Sequence, residues 1–300
     1  MSQSTVPLRR PLDGFSSASM VILCLIWGFQ QVAIKTGAPE MSPLLQVGLR
    51  SFFAALLVGG WMVARREDMS LCDGTLAPGL VAGLLFGGEF LAVAAGLTFT
   101  TAGHMAVFLY TAPVFTALGL HWTTEEERMN RRQWAGVGLA FGGLATAFAG
   151  SLFSSGGAQQ MAGDALGILG GMLWAATTLV IRSSRLSDAL PSKTLLYQLS
   201  GAATLLLPVA WWNGHFHTAA LSASLCINLT FQTVIVAFGS YLFWFWLLRK
   251  YLASRLSIFS FLTPLFGVTF GALFLAEPLD PAFVAGSLLV LGGIAVVNRK

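Results

Sequence analysis

The sequence predicts an all-α membrane protein, with ten transmembrane helices arranged as two five-helix repeats of inverted topology. Three observations carry that prediction. First, only 10% of the 300 residues are Asp, Glu, Lys or Arg, while 55% are hydrophobic and the mean hydropathy is +0.73. A soluble domain carries about a quarter charged residues. A soluble core of this length would have too few charges to cover its apolar surface, and a disordered chain is excluded on the same ground. Second, the apolar residues form long unbroken runs, unlike the alternating segments of about ten residues that build a membrane β-barrel. Third, the second half of the chain echoes the first.

Roughly 20 apolar residues cross a bilayer as a helix, and ten runs qualify. The first, 17–36, follows Arg9 and Arg10 and has the outline of a signal peptide. Its length, the polar Gln30 and Gln31 within it and the lack of a small-residue cleavage site mark it instead as a retained helix. Gly37, Ala38, Pro39, Ser42 and Pro43 punctuate the passage to the second run, 43–64. The third, 75–98, holds Glu89, and the fourth, 101–121, holds His104, Tyr110 and Pro113. An acidic and basic stretch, 125–132, precedes the fifth run, 133–152, and 154–157 (Ser, Ser, Gly, Gly) closes the first half. The sixth to eighth runs are 164–183, 194–212 and 227–248. The ninth, 252–275, ends before Glu277, Pro278, Asp280 and Pro281, and the tenth is 282–298. Residues 1–16 then form a cytoplasmic N-terminal segment, and 17–152 and 164–298 are the two repeats of one integral membrane domain.

The basic residues predict the orientation. With a cytoplasmic N-terminus, all 17 Lys and Arg except Lys35 and Arg50 fall on or near the cytoplasmic side, including Arg65, Arg66, Arg128, Arg182, Lys193, Arg249, Arg255 and Lys300. The loops assigned outside, 153–163 and 213–226, have none. Such asymmetry places both termini in the cytoplasm. The net charge of +4 therefore serves topology, and no basic face with interleaved aromatics points to nucleic acid. Cys24, Cys72 and Cys226 are scattered and predict neither a disulfide framework nor a thiolate metal site. No metal or cofactor is expected.

The internal echo has fixed landmarks. Trp27 and Trp174 lie 147 residues apart, each early in its half. The stretch 102–113 resembles 253–264 at an offset of 151, so that Pro113 matches Pro264, and Glu126 matches Glu277. Phe141, Gly142 and Gly143 resemble Leu291, Gly292 and Gly293 at an offset of 150. Five spans per half is an odd number, so the halves must insert with opposite orientation. An inverted repeat builds two alternative accesses to one midplane site.

With an early Trp in each half and a matched proline in each fourth helix, the chain resembles the drug/metabolite transporter superfamily, in its EamA-type branch, over 17–298. The resemblance implies ten helices, cytoplasmic termini in a bacterial inner membrane and transport of small metabolites, often outward. Within that branch it is similar to bacterial amino-acid exporters, including the YddG-like aromatic amino-acid exporter group. The expected function is thus secondary transport, by alternating access, of small amphipathic metabolites such as amino acids, aromatic ones included. Carriage of drugs or nucleotide sugars, or a membrane enzyme or lipid-handling protein without a recognisable motif, are the alternatives. No HExxH, GxSxG or P-loop motif is present, and no enzyme activity is expected.

Candidate site residues follow from depth and chemistry. Glu89 and Arg50 are the charges that fall deep within spans; the other acids fall at helix ends or loops. A charge at bilayer depth costs about 2.5–3.5 kcal/mol on insertion scales. Glu89 either faces a cavity and meets a substrate ammonium or a proton, or forms a buried structural pair with Arg50. Trp27 and Trp174 either flank a substrate or pack the repeat. Gln30, Tyr110 and Tyr241 are polar groups at compatible depth, whereas His104, near the outer helix end, reads as solvated. The binding residues expected are Trp27, Gln30, Glu89, Tyr110, Trp174 and Tyr241, with Glu89 the coupling candidate. Pro113 and Pro264, each removing a helix hydrogen bond, are the hinge candidates. Glycines four apart (79, 83 and 87; 138 and 142; 167 and 171; 267 and 271) predict close helix contacts.

Overall fold

The computed structural model describes residues 13–123, 128–153, 157–217, 219, 221–251 and 262–297. Expectations resting on Arg9 and Arg10, on 125–127, 154–156 and 252–261, on the side chain of Arg249, and on Arg299 and Lys300 lie outside the described residues.

Among those residues the chain is helical throughout, with no β-strand. Helix α1 (Gly14–Gly37) starts at Asp13, whose carboxylate accepts from Ser16 N at 2.7 Å while Asp13 N donates to Ser16 Oγ at 2.9 Å. This capping box satisfies two otherwise orphaned amides. Ser42 caps α2 (Pro43–Ala64), where proline occupies the first turn and has no amide to leave unpaired. Helix α3 spans Leu76–Gly96. Thr101 caps α4 (Ala102–Leu109), which breaks at Tyr110 and Thr111 before α5 (Ala112–Thr123) resumes with Pro113 in its first turn. Then come α6 (Arg131–Phe153), α7 (Gly157–Arg182) and α8 (Pro191–Trp212). Ser222 caps α9 (Ala223–Thr230), which widens into a π-helical stretch, Phe231–Ser240, and continues as α10 (Tyr241–Lys250). Helices α11 (Leu262–Leu275) and α12 (Pro281–Val297) complete the described chain.

Seven of these helices or continuous columns are long and apolar enough to cross a membrane: 14–37, 43–64, 76–96, 102–123, 157–182, 191–212 and 223–247. Helices α11 and α12 are shorter and equally apolar. Large apolar side chains face outward over much of the surface, among them Trp212 at 91% exposure, Leu273 at 72% and Ile227 at 72%. Water would penalise such a surface, whereas lipid does not. The protein is a multi-pass membrane protein.

Helices from the two halves pair directly: α3 lies against α7 and α8, α2 against α8, α1 and α4 against α11, and α6 against α12. Small residues set the closest approaches. A Cβ at Gly83 would come within 2.5 Å of the Tyr197 carbonyl, and one at Gly201 would run into the Gly83 backbone. A Cβ at Gly143 would lie 2.6 Å from the Gly286 carbonyl. Without a hydrophobic drive between helices in lipid, such backbone proximity supplies the dispersion contact that holds them together.

Candidate functional site

Two charges lie buried where α2 and α3 pass each other. Arg50, about two turns into α2, is 1% exposed, and Glu89, beyond the middle of α3, is 5% exposed. The guanidinium carbon sits 4.6 Å from the Phe90 ring centroid, a cation–π contact that fixes its plane. Phe86 meets Phe90 edge to face at 4.9 Å. Nε and Nη1 of Arg50 and Oε2 of Glu89 have no hydrogen-bond partner among the described residues. No ion pair within 4.0 Å joins the two side chains, although each feels the other's charge.

Around these charges both halves contribute aromatic groups. Tyr110, at the break between α4 and α5, meets Trp174 of α7 edge to face at 5.2 Å. Tyr241, where the π-helical stretch becomes α10, lies within electrostatic reach of Arg50 and Glu89 and donates to Gln30 Oε1 at 3.4 Å. The structure thus brings Glu89, Tyr110, Trp174, Tyr241 and Gln30 into one neighbourhood, with Trp174 and Tyr241 packed on the same apolar cluster as Phe86 and Phe90. Trp27 sits in an adjacent cluster, its Nε1 donating to Ser240 Oγ at 2.9 Å and its ring edge-on to Trp244 at 5.7 Å. Pro113 follows the α4–α5 break, and Pro264 lies in the first turn of α11.

The ends of the bundle carry polar ties between the halves. At one end Glu277, from the α11–α12 connection, accepts the backbone amides of Ala102 at 2.7 Å and Gly103 at 3.1 Å, capping α4, and pairs with Lys35 at 3.1 Å. Lys35 also donates to the Thr100 carbonyl at 2.8 Å. Beside it, fully buried Asp164 accepts from Thr100 Oγ1 at 2.5 Å and contacts His104 Nδ1 at 3.0 Å, the imidazole stacking on Phe283 at 3.7 Å. At the opposite end Lys193 pairs with Asp73 at 2.6 Å and donates to the Ser70 carbonyl at 2.5 Å, and Ser192 donates to Glu67. The Lys193 hydrogen bond, helped by Thr75, holds the Asp73 carboxyl well below the usual carboxylate range. A carboxyl lowered on folding contributes stability that is complete above its unfolded pKa and lost as pH falls through the folded value. This tie therefore withstands mild acid.

Two sequence expectations need correction. His104 is not solvated: it is 4% exposed and held by Asp164. Asp164 is not at a helix end, because α7 starts at Gly157, about two turns earlier than the apolar run. Sequence reasoning also missed the buried chain in which Gln232 donates to Gln46 Oε1 at 2.9 Å and to Asn228 Oδ1 at 2.8 Å, while Gln46 donates to the Met41 carbonyl at 2.7 Å. Three amides inside apolar runs were the available signal.

Comparison with known proteins covers nearly the whole chain. The model of the EamA-like transporter family matches twice, at 15–149 and 161–299. An uncharacterized transporter of Archaeoglobus fulgidus is 25% identical over 94% of this chain and 96% of its own. A protein of Salmonella typhimurium named a probable amino-acid metabolite efflux pump is 25% identical over 95% of this chain and 94% of its own. A solved crystal structure superposes with a TM-score of 0.64 at 15% identity, covering 94% of this chain and 97% of that one, which is a likeness of fold alone. With both halves matched by the same family model, the chain belongs to the EamA-like transporter family.

Proposed function

We propose that this protein is a secondary transporter that exports small amphipathic metabolites, amino acids and aromatic amino acids among them, by alternating access to a central site between two five-helix repeats. The observation that carries the reading is the unpartnered carboxylate of Glu89, buried in the membrane domain among aromatic rings that both halves supply. Apolar surroundings with a few polar groups suit a ligand with an apolar body and a charged head. The naming of a full-length relative as a probable amino-acid metabolite efflux pump supports the substrate class. The two family matches, one per half, support the inverted repeat, and the break before Pro113 supports a bending role for the matched prolines Pro113 and Pro264. Proteoliposomes holding purified protein and a panel of labelled amino acids, sugars and nucleotide sugars test the reading. Movement of amino acids is expected, and movement of nucleotide sugars alone would replace it.

The topology has its own test. A reporter fused after Lys300 is expected in the cytoplasm of a bacterial host, and one inserted at Gly156 outside. An external C-terminus would overturn both the ten-span count and the inverted repeat. The aromatic residues are tested in the same vesicles. Trp27→Ala and Trp174→Ala are each expected to raise the apparent KM for Trp or Phe by about 1–3 kcal/mol equivalent, the value of a lost apolar contact in a pocket. Trp27→Ala also leaves Ser240 without its indole donor. Unchanged KM in both variants, at equal amounts of folded protein, would assign the tryptophans to packing.

A further inference from the structure

Arg50 and Glu89 form an opposite-charge set that is not closed on itself. Both side chains are more than nine-tenths buried, yet two guanidinium nitrogens and one carboxylate oxygen lack partners and no ion pair joins the groups. Opposite charges buried together normally close into a hydrogen-bonded pair, because each alone is expensive at bilayer depth. Here Arg50 is held instead against the Phe90 ring. The two groups also come from different helices, α2 and α3, so their separation is set by helix packing.

We propose that Arg50 and Glu89 together recognise a zwitterion, with Arg50 taking the α-carboxylate and Glu89 the α-ammonium of an amino acid. The assignment rests on reading the chain as an amino-acid carrier and sharpens it to substrates that bear both charged groups. A planar guanidinium presents donors suited to a carboxylate, and a carboxylate oxygen accepts from an ammonium. A bound zwitterion would give the Arg50 guanidinium an acceptor and the orphaned Glu89 oxygen a donor, and leave the site without net charge. Phe86, Phe90, Tyr110 and Trp174 would then face the substrate side chain.

Binding of tritiated L-phenylalanine to the purified full-length protein tests this by competition. The competitors are unlabelled L-phenylalanine, L-phenylalaninamide and phenethylamine, which lack the carboxylate, and 3-phenylpropionate, which lacks the ammonium. Each analogue is expected to compete at least about tenfold less well than L-phenylalanine, as loss of a charge-assisted hydrogen bond predicts. Arg50→Gln is expected to weaken L-phenylalanine by a similar factor and to abolish discrimination against the amide, and Glu89→Gln to abolish discrimination against 3-phenylpropionate. Arg50→Lys, which keeps the charge and loses the fork, guards against a fold defect by retaining partial affinity and the discrimination. Equal competition by the amide in the unmodified protein, or full discrimination surviving in Arg50→Gln, would overturn the zwitterion assignment while leaving amino-acid transport standing. Failure of the unmodified protein to bind or move any amino acid would overturn the carrier reading, and this assignment with it.

Discussion

Glu89→Gln is expected to slow amino-acid transport roughly tenfold to hundredfold, the value of a charge-assisted contact or more, while folded protein accumulates as before. The side chain is nearly isosteric, and the atom it changes has no hydrogen-bond partner to lose. The amide also takes away a charge whose burial carries a desolvation cost. The loss should therefore register in transport and spare thermal stability. Initial rates in proteoliposomes over a pH series check the coupling role. A carboxylate that exchanges a proton during the cycle gives a pH-dependent rate, and the amide gives a flat one. Normal rates at every pH in Glu89→Gln would make Glu89 structural and end the coupling hypothesis.

Gly201→Val should have the largest effect on stability. A side chain at Gly201 meets the Gly83 backbone, which cannot swing aside as a flexible side chain can. Helices α3 and α8 would have to separate, with a cost at the upper end of the roughly 1–3 kcal/mol typical of overpacking, or beyond it. A sharply lower thermal midpoint and poor recovery of monodisperse protein are expected. Gly138→Ala is the contrast: a Cβ there meets nothing within 4 Å, and the variant should match the parent or exceed it slightly. Equal midpoints for the two variants would show that the α3–α8 contact does not limit stability.

The glycines show what one sequence reveals and what it conceals. The four-residue spacing of Gly79, Gly83 and Gly87 corresponds to a packed face against Tyr197, Gly201 and Ala202. The same spacing at Gly138 and Gly142 corresponds to open space, and Gly143 is the residue in contact with α12. Periodicity reports that a face is small, while the partner helix decides which small face is used. The apolar runs were legible because lipid imposes length and hydropathy on any helix that crosses it. The break at Tyr110 and Thr111 and the π-helical stretch were not, since both depend on how neighbouring helices accommodate a shifted backbone. In the candidate site, the depth of Arg50 and Glu89 could be read from position. Their lack of a mutual bond could not, because that depends on the spacing of two helices. His104 and Asp164 were hidden for a related reason: a polar residue near a span end looks solvated until its partner in the other half is known.

The polar ties at the two ends of α3 bear on what the membrane around this protein can hold. Lys35 and Glu277 fasten one end across the halves, and Asp73 and Lys193 fasten the other. Between them the charged centre is sealed from solvent. A membrane that stores energy as an ion gradient is discharged by any pore open on both faces, however brief. Under the proposed alternating access, a passage would open by breaking one set of bonds while the other still stands. On that reading the empty protein is expected to leave vesicles tight to ions, so that a cell could carry many copies without draining its own battery.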